Sequence, residues 1–318
     1  ILKRDFEEAL QGAARAVGKN LTLPLLSNIF LKVEKNKLTI RATNLTIGVE
    51  YYIPLKTDEE FTVALPTQTL LQSIHALSSE KLSLSYVNGN ISIETKERKL
   101  LIKGVSAEEF PTIPKVTGTS YALSIKNFLQ GLKSVAFSSA QSDIKPEIAS
   151  VYIYPTTNGF VFVATDSFRL AEKKIKVKNI PEISSILFPY KNIPDILKIL
   201  DSLSEVTVTF HKNQCSIVGG GIYFTSRLIN GAFPDYRQIV PKEEKTKITL
   251  MKSELVNSLR LSTIFTDKFS HVSLVVPEDK KSVQISSKNA EVGKSDTLLD
   301  AVIQGEPIAV SCNLRYVL

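Results

Sequence analysis

The sequence predicts an α+β protein of three similar units, each placing two helices on mainly antiparallel sheet. The first observation behind this is a recurring pattern. Asn158-Gly159 opens a run of β-branched and aromatic residues, Phe160-Val161-Phe162-Val163, which ends in the short polar corner Thr165-Asp166-Ser167. Asn36–Leu45 has the same form roughly 120 residues earlier and Lys281–Ala290 roughly 120 residues later, a period far beyond any solenoid repeat. Second, helical and strand periodicities follow one another in the same order in each unit. Third, the pairs Phe110-Pro111 and Phe233-Pro234 close the first two units. Each lies the same distance beyond a helix-opening proline, Pro66 or Pro189.

The first unit opens with a helix over Lys3–Val17, whose apolar stripe is Phe6, Leu10, Ala13, Ala14 and Val17. Strands are expected at Asn28–Val33, Lys37–Ala42 and Leu45–Ile53, the last with clean period-two alternation. After Pro66 a second helix runs over Thr67–Leu77. Lys81–Val87 and Ile91–Lys96 form a hairpin on Asn88-Gly89, and Lys99–Val105 adds a strand. In the second unit a linker over Thr112–Ser120 leads to a helix capped by Ser124, with Phe128, Leu129, Leu132, Val135 and Ala136 inward. Val151–Tyr154 and Phe160–Ala164 pair, and a second helix covers Ile193–Leu200. Strands follow at Glu205–Phe210, Gln214–Val218 and Ile222–Leu228. The third unit follows the charged linker Pro241–Lys245. It has a helix over Lys252–Ser262 and strands at Val272–Val276, Val283–Ser287, Ala290–Lys294 and Thr297–Ile303. Its second helix is expected to begin at Asn313. On the spacing of the earlier units, the sequence is expected to be incomplete at its C-terminus.

Composition sets limits. The chain has 318 residues, 43% hydrophobic and 22% charged, as in ordinary globular domains, and no apolar run long enough for a membrane helix. Cys215 and Cys312 are far apart and in apolar strand settings, which favours free thiols and a reducing cytoplasm. The formal net charge of +7 suits an anionic partner without identifying one. Catalytic chemistry is hard to place. His75, His211 and His271 fall in different units without metal-ligand spacing, so no metal or cofactor is expected. Gly219-Gly220-Gly221 lies between two strands rather than before a helix, so it reads as a hairpin turn and not a phosphate loop. Glu59-Glu60 and Glu108-Glu109 read as solvated loop charges.

Three stretches resemble the bacterial DNA polymerase III β-subunit family, the sliding clamps. They are Thr22–Asn28, Ala164-Thr165-Asp166-Ser167-Phe168-Arg169-Leu170-Ala171, and Phe224–Tyr236. The resemblance runs in one order from about Lys3 to Leu318 and agrees with the threefold repeat. It implies three DNA-clamp domains, over 1–117, 118–243 and 244–318, and a head-to-tail homodimer closed into a ring. It implies a processivity factor in the bacterial cytoplasm that encircles double-stranded DNA and tethers the polymerase, without catalysis. Its implied partners are the polymerase III alpha subunit, the clamp loader, and other DNA polymerases and repair proteins that bring short peptides.

The same resemblance carries site residues. DNA contact is implied at Lys19, Asn20, Lys145 and Lys191. Helix cations such as Lys3, Arg15, Lys126, Lys133, Lys198, Lys252 and Arg260 face the hole or serve solubility. A peptide cleft is implied at Ile148, Thr165, Ser167, Phe168, Arg169, Leu170, Pro234 and Ile239, and a dimer interface at Leu100 and Ile102 on one side and Ile264 and Phe265 on the other. Asn20 stands where many relatives carry Arg, Pro146-Glu147 where some carry a Tyr pair, Phe168 where some carry His, and Gln238 where Arg is frequent. Two other readings remain: a peptide-binding scaffold that does not encircle DNA, and a multidomain enzyme, which lacks a catalytic cluster.

Overall fold

The structure is a computed structural model that describes residues 1–18, 22–177 and 184–318. It divides into two compact units, Ile1–Pro234 and Asp235–Leu318. In the first, α1 (Lys3–Arg15) is followed by β1 (Asn28–Glu34), β2 (Lys37–Thr43), β3 (Ile47–Pro54) and β4 (Phe61–Pro66). Then come α2 (Thr67–His75), β5 (Ser83–Val87), β6 (Asn90–Glu94) and β7 (Lys99–Ile102). The order repeats with β8 (Ser120–Ser124), α3 (Ile125–Val135), β9 (Ser150–Thr156), β10 (Gly159–Thr165), β11 (Leu170–Lys176) and β12 (Ile186–Pro189). It closes with α4 (Ile193–Ile199), β13 (Glu205–His211), β14 (Gln214–Gly219) and β15 (Ile222–Arg227).

One antiparallel sheet of eight strands, β4-β1-β2-β3-β15-β14-β13-β8, runs through both halves of this unit. They join where β3 meets β15, with Val49 opposite Phe224 and Glu50 opposite Tyr223. Sheets β5-β6-β7 and β11-β10-β9-β12 complete the unit. The helices cover these sheets with the stripes read from sequence: Phe6, Leu10 and Ala13 of α1 and Phe128, Leu132 and Val135 of α3 are all buried. The packing is tight at Gly131, where an added Cβ would lie 2.3 Å from the buried ring of Phe162. Gly131→Ala is therefore expected to lower stability by about 1–3 kcal/mol despite its better helix propensity, read as a fall in urea midpoint at unchanged slope.

The β3–β15 junction holds a charge cluster that nothing in the sequence announced. Glu50 is buried in the sheet and accepts from Arg41 Nε at 2.7 Å, from Lys115 Nζ at 3.2 Å and from the Tyr52 hydroxyl. Lys115 belongs to the connector between the halves and stacks its ammonium 3.7 Å from the centre of the Tyr223 ring. The Tyr223 hydroxyl donates to Pro114 O and accepts from Val116 N, pinning the connector on both sides of Lys115. Burial works to raise the Glu50 carboxyl, but the Tyr52 hydroxyl, Arg41 and Lys115 outweigh it and hold it below the usual carboxylate range.

The second unit holds β16 (Thr246–Thr249), α5 (Lys252–Ile264), β17 (His271–Val276), β18 (Ser282–Asn289), β19 (Gly293–Asp300), β20 (Val302–Gly305), β21 (Ile308–Asn313) and α6 (Leu314–Val317). Its sheets are β19-β18-β17-β21 and β16-β20. Leu259, Val272, Val283, Ile285 and Leu299 form its core. The expected second helix begins at Leu314, with the Asn313 side chain accepting from Arg315 N.

Several boundaries differ from expectation. Ala290–Lys294 is mostly not a strand: Asn289 Oδ1 accepts from Glu291 N and Val292 N and bends the chain, and Gly293 takes a positive φ of 127° to start β19. The expected strand Thr297–Ile303 is the end of β19, a break at Ala301, and β20. Ser124, the last residue of β8, precedes α3 with the extended backbone of an N-cap, but its side chain makes no capping bond. Strands β4, β8, β11, β12, β16 and β21 were not expected. Several of these lie at sheet edges, are short or carry charge, so their main stabilisation comes from distant partners rather than from local pattern. Gly219–Gly221 is the expected turn, with positive φ at Gly220 and Gly221. Both cysteines are free, and burial pushes the Cys215 thiol up to about 12.

Candidate functional site

Polar corners repeat with one design. At the end of β10, the Thr165 hydroxyl donates to Arg169 O at 2.7 Å and accepts from Ser167 N. Asp166 Oδ1 accepts from Phe168 N and Arg169 N, each at 3.0 Å, and Ser167 adopts a φ of 75°. At the end of β2, Thr43 bonds Ile47 O and Leu45 N, Asn44 bonds Thr46 N and Ile47 N, and Leu45 has a φ of 72°. The backbone turn is the same; the side chains thrown outward differ.

In the β10 corner the acid binds more than backbone. Arg169 Nε donates to Asp166 Oδ2 at 3.0 Å, Nη2 donates to Phe137 O at 2.6 Å, and the guanidinium lies 5.5 Å from the centre of the Phe137 ring. This fixes Arg169 as a half-buried bracket between the corner and the end of α3. Phe168 is thrown outward and is 81% exposed. Phe137 and Ile144 are exposed as well, and Leu170 is half-buried at the start of β11. Thr165 and Ile148 are buried, so they shape the surface rather than offer it. Pro234 is exposed, next to Phe233, whose ring stacks on Tyr152 at 4.9 Å. Seven of the eight cleft residues thus lie in the first unit. Ile239 lies in the second, 72% exposed. An exposed apolar patch beside a fixed cation can hold a peptide's apolar side chains and its carbonyl or acidic groups.

A second feature is basic. Helices α1, α3 and α4 of the first unit border a groove of about 1140 Å³. Arg15, Lys126, Lys133 and Lys198 line it above an apolar floor that includes Leu129 and Leu197, with Glu8 and Asp201 also present. The four cations are exposed, one or more from each helix. They form a non-directional positive surface suited to phosphates rather than to base edges. Lys3 does not join them: it bonds Glu7 at 3.4 Å and the His75 carbonyl. Lys252 and Arg260 are exposed on α5 of the second unit.

Of the four DNA-contact residues, Lys145 is exposed on the loop before β9, and Lys191, between β12 and α4, pairs with Asp143 of that same loop. Lys19 and Asn20 lie outside the described residues. Of the interface residues, Ile102 is buried in the core of the first unit and Leu100 is half-buried against it, while Leu101 between them is 60% exposed. Ile264 is exposed and Phe265 half-buried at the end of α5. Among the described residues no group of His, Cys, Asp or Glu could hold a metal ion, and no helix is long and apolar enough to cross a membrane.

Comparison with known proteins covers the chain from end to end. The N-terminal domain of the DNA polymerase III beta subunit matches residues 1–114, the central domain residues 122–235 and the C-terminal domain residues 237–318. The beta sliding clamp of Staphylococcus aureus is 23% identical, with 100% of this chain and 88% of that protein covered. The solved beta subunit from the DNA polymerase of Streptococcus pyogenes superposes with a TM-score of 0.93 at 22% identity, covering 100% of this chain and 87% of that one. The DNA polymerase sliding clamp of Bacillus subtilis gives 0.91 at 23% identity, with the same coverage. At these identities the structural likeness speaks for the fold.

Proposed function

We infer how this chain works from a plain premise: it belongs to the DNA polymerase III beta-subunit family, all three of whose domains it matches in order. It is a DNA sliding clamp, a non-catalytic factor that encircles DNA and gives the polymerase its processivity. The observation that carries this is the uninterrupted succession of the three domains along the chain. The domains are taken as 1–117, 118–243 and 244–318, and two chains close head to tail.

In this reading the cations Arg15, Lys126, Lys133 and Lys198 face the enclosed duplex, helped by Lys145, Lys191, Lys19 and Asn20. Contacts of this kind neutralise phosphates without reading sequence, so every register along the duplex costs about the same and the ring can slide. Leu100, Ile102, Ile264 and Phe265 belong to the joint between chains, with Ile102 acting from behind as core support. The reading is tested by whether the protein's hold on DNA depends on the DNA being a closed circle.

Ile148, Thr165, Ser167, Phe168, Arg169, Leu170, Pro234 and Ile239 form the cleft for the polymerase alpha subunit, the clamp loader, and other polymerases and repair proteins, in the cytoplasm. Phe168→Ala and Leu170→Ala are each expected to weaken a clamp-binding peptide of the cognate polymerase by about 1–2 kcal/mol, roughly tenfold in Kd. Arg169→Ala is expected to do the same. Fluorescence anisotropy measures the binding and light scattering the dimer, which all three variants should keep. Loss of the dimer in Phe168→Ala, whose ring is exposed, would move that residue out of the cleft and into the joint.

A further inference from the structure

One of the cations placed against the duplex is already occupied. Lys191 forms an ion pair with Asp143, and the two side chains are 64% and 69% exposed. Among the described residues, the groove cations Arg15, Lys126, Lys133 and Lys198 make no ion pair, and neither does Lys145, two residues along from Asp143. Lys191 is thus set apart from the others by an acid of its own chain.

The two partners are held differently. Lys191 stands on the short turn Tyr190–Asn192 between β12 and α4, and that turn is fastened on both sides. Tyr190 N donates to Ala149 O at 3.0 Å. Asn192 is buried; its Nδ2 donates to Ser226 Oγ at 2.9 Å and its Oδ1 accepts from the Thr46 hydroxyl at 3.2 Å. Asp143 lies at the tip of the loop before β9. The base of that loop is closed by Ala140 N, which donates to Ile148 O at 3.0 Å, and by Ile148 N and Ala149 N, which both donate to Lys145 O. The tip, residues 141–144, has one polar link to another element among the described residues, and it is the ion pair to Lys191. Ile144 N bonds Ser142 Oγ, inside the tip itself. Breaking the pair therefore leaves the cation in place and lets the acid swing away.

We propose that Asp143 is a built-in competitor for duplex phosphate: it covers Lys191 in the free protein and gives way when a phosphate arrives. This rests on the reading that sets Lys191 against the duplex, and adds how strongly that contact is made. A carboxylate and a phosphate oxygen offer an ammonium the same charge-assisted hydrogen bond, so they compete for it directly. An exposed pair is weak, so the acid is displaced readily and lowers affinity by roughly two- to fivefold rather than blocking the site. A phosphate taken by an unpaired lysine releases about one condensed counterion. Here the exchange leaves Asp143 unpaired beside further phosphates, which cancels much of that gain. The contact then forms and breaks at little net cost, as suits a protein that moves along the duplex.

The test measures binding of a short fluorescent linear duplex to the full chain by anisotropy, over a range of salt. Asp143→Asn is expected to tighten binding roughly two- to fivefold at low salt, and to steepen the fall of log K with log salt by up to about 0.9. Asp143→Ala, which leaves the ammonium no acceptor, should do at least as much. Lys191→Ala should cost little alone and should erase the gain when combined with either substitution. An equal gain in the Lys191→Ala background would mean that Asp143 acts by general repulsion, and would overturn the competitor. Unchanged or weaker binding in Asp143→Asn would overturn it as well. If Lys191→Ala costs nothing even in the Asp143→Asn background, Lys191 is no DNA contact and the proposal goes with it. All three outcomes leave the ring standing, because retention on closed circular DNA tests that separately.

Discussion

Loaded onto a nicked circular duplex by the cognate clamp loader and ATP, the protein is expected to stay with the circle through gel filtration and to leave once the DNA is cut. The argument is about which force holds it. The groove cations Arg15, Lys126, Lys133 and Lys198 are exposed and make no directional site. Contacts of that kind release counterions, and a protein depending on four of them loses about 10²-fold in affinity between 50 mM and 200 mM salt, rising to about 10³–10⁵ for six to ten. A closed ring is held by topology, so its residence on a circle should hardly change over that range, while its residence on linear DNA should be short at any salt. Equal retention on cut and uncut DNA, falling steeply with salt, would mean ordinary electrostatic binding. Absence of retention beside an active loader would favour the peptide-binding scaffold that does not encircle DNA.

What the sequence made legible follows from how local each signal is. The corner Thr165-Asp166-Ser167 and its counterpart at Thr43-Asn44 are bonded within five residues, so their recurrence could be read directly and led to the repeat. The helical stripes of α1 and α3 were equally plain, because one face of each is buried along its whole length. Strand β11 was not legible: Leu-Ala-Glu-Lys-Lys-Ile-Lys has little strand character, and it forms because β10 offers a full ladder from Gly159 to Thr165. Ile102 read as an interface residue by resemblance, yet β7 alternates, and its side chain takes the inward position while Leu101 takes the outward one. The groove needed α1, α3 and α4 brought together from far along the chain, so single lysines and arginines could not be told from ordinary surface charge. Lys115 lay in a stretch read as linker. Its role depends on β3 and β15 pairing across more than half of the first unit, which no local pattern records.

That junction carries the second large effect. Glu50→Ala is expected to destabilise the first unit by about 3 kcal/mol, because Arg41 stays mostly buried with its carboxylate gone. The Lys115 side chain is largely exposed, so its lost pair adds little. Glu50→Gln should cost less, since the amide oxygen can still accept from Arg41 and the amide nitrogen can donate to the Tyr52 hydroxyl oxygen. Urea denaturation measures both, as a shift in midpoint with the slope preserved. The sign of the pH dependence follows from the lowered carboxyl. Its stabilisation is fully present above the ordinary glutamate value of 4.5 and is lost as pH falls through the depressed value in the folded chain. The loss of stability of the unsubstituted protein below about pH 4.5 should therefore be steeper than that of Glu50→Gln, and the two curves should draw together as Glu50 protonates. Curves that stay parallel from pH 7 down to pH 3 would mean that the carboxylate carries no net stabilisation. The cluster would then be a device for holding the connector in place and nothing more. Lys115→Met separates the two roles. It keeps Arg41 on Glu50 but removes the ammonium from the Tyr223 ring, so stability should barely change while the connector around Pro114 and Val116 exchanges its amide protons faster.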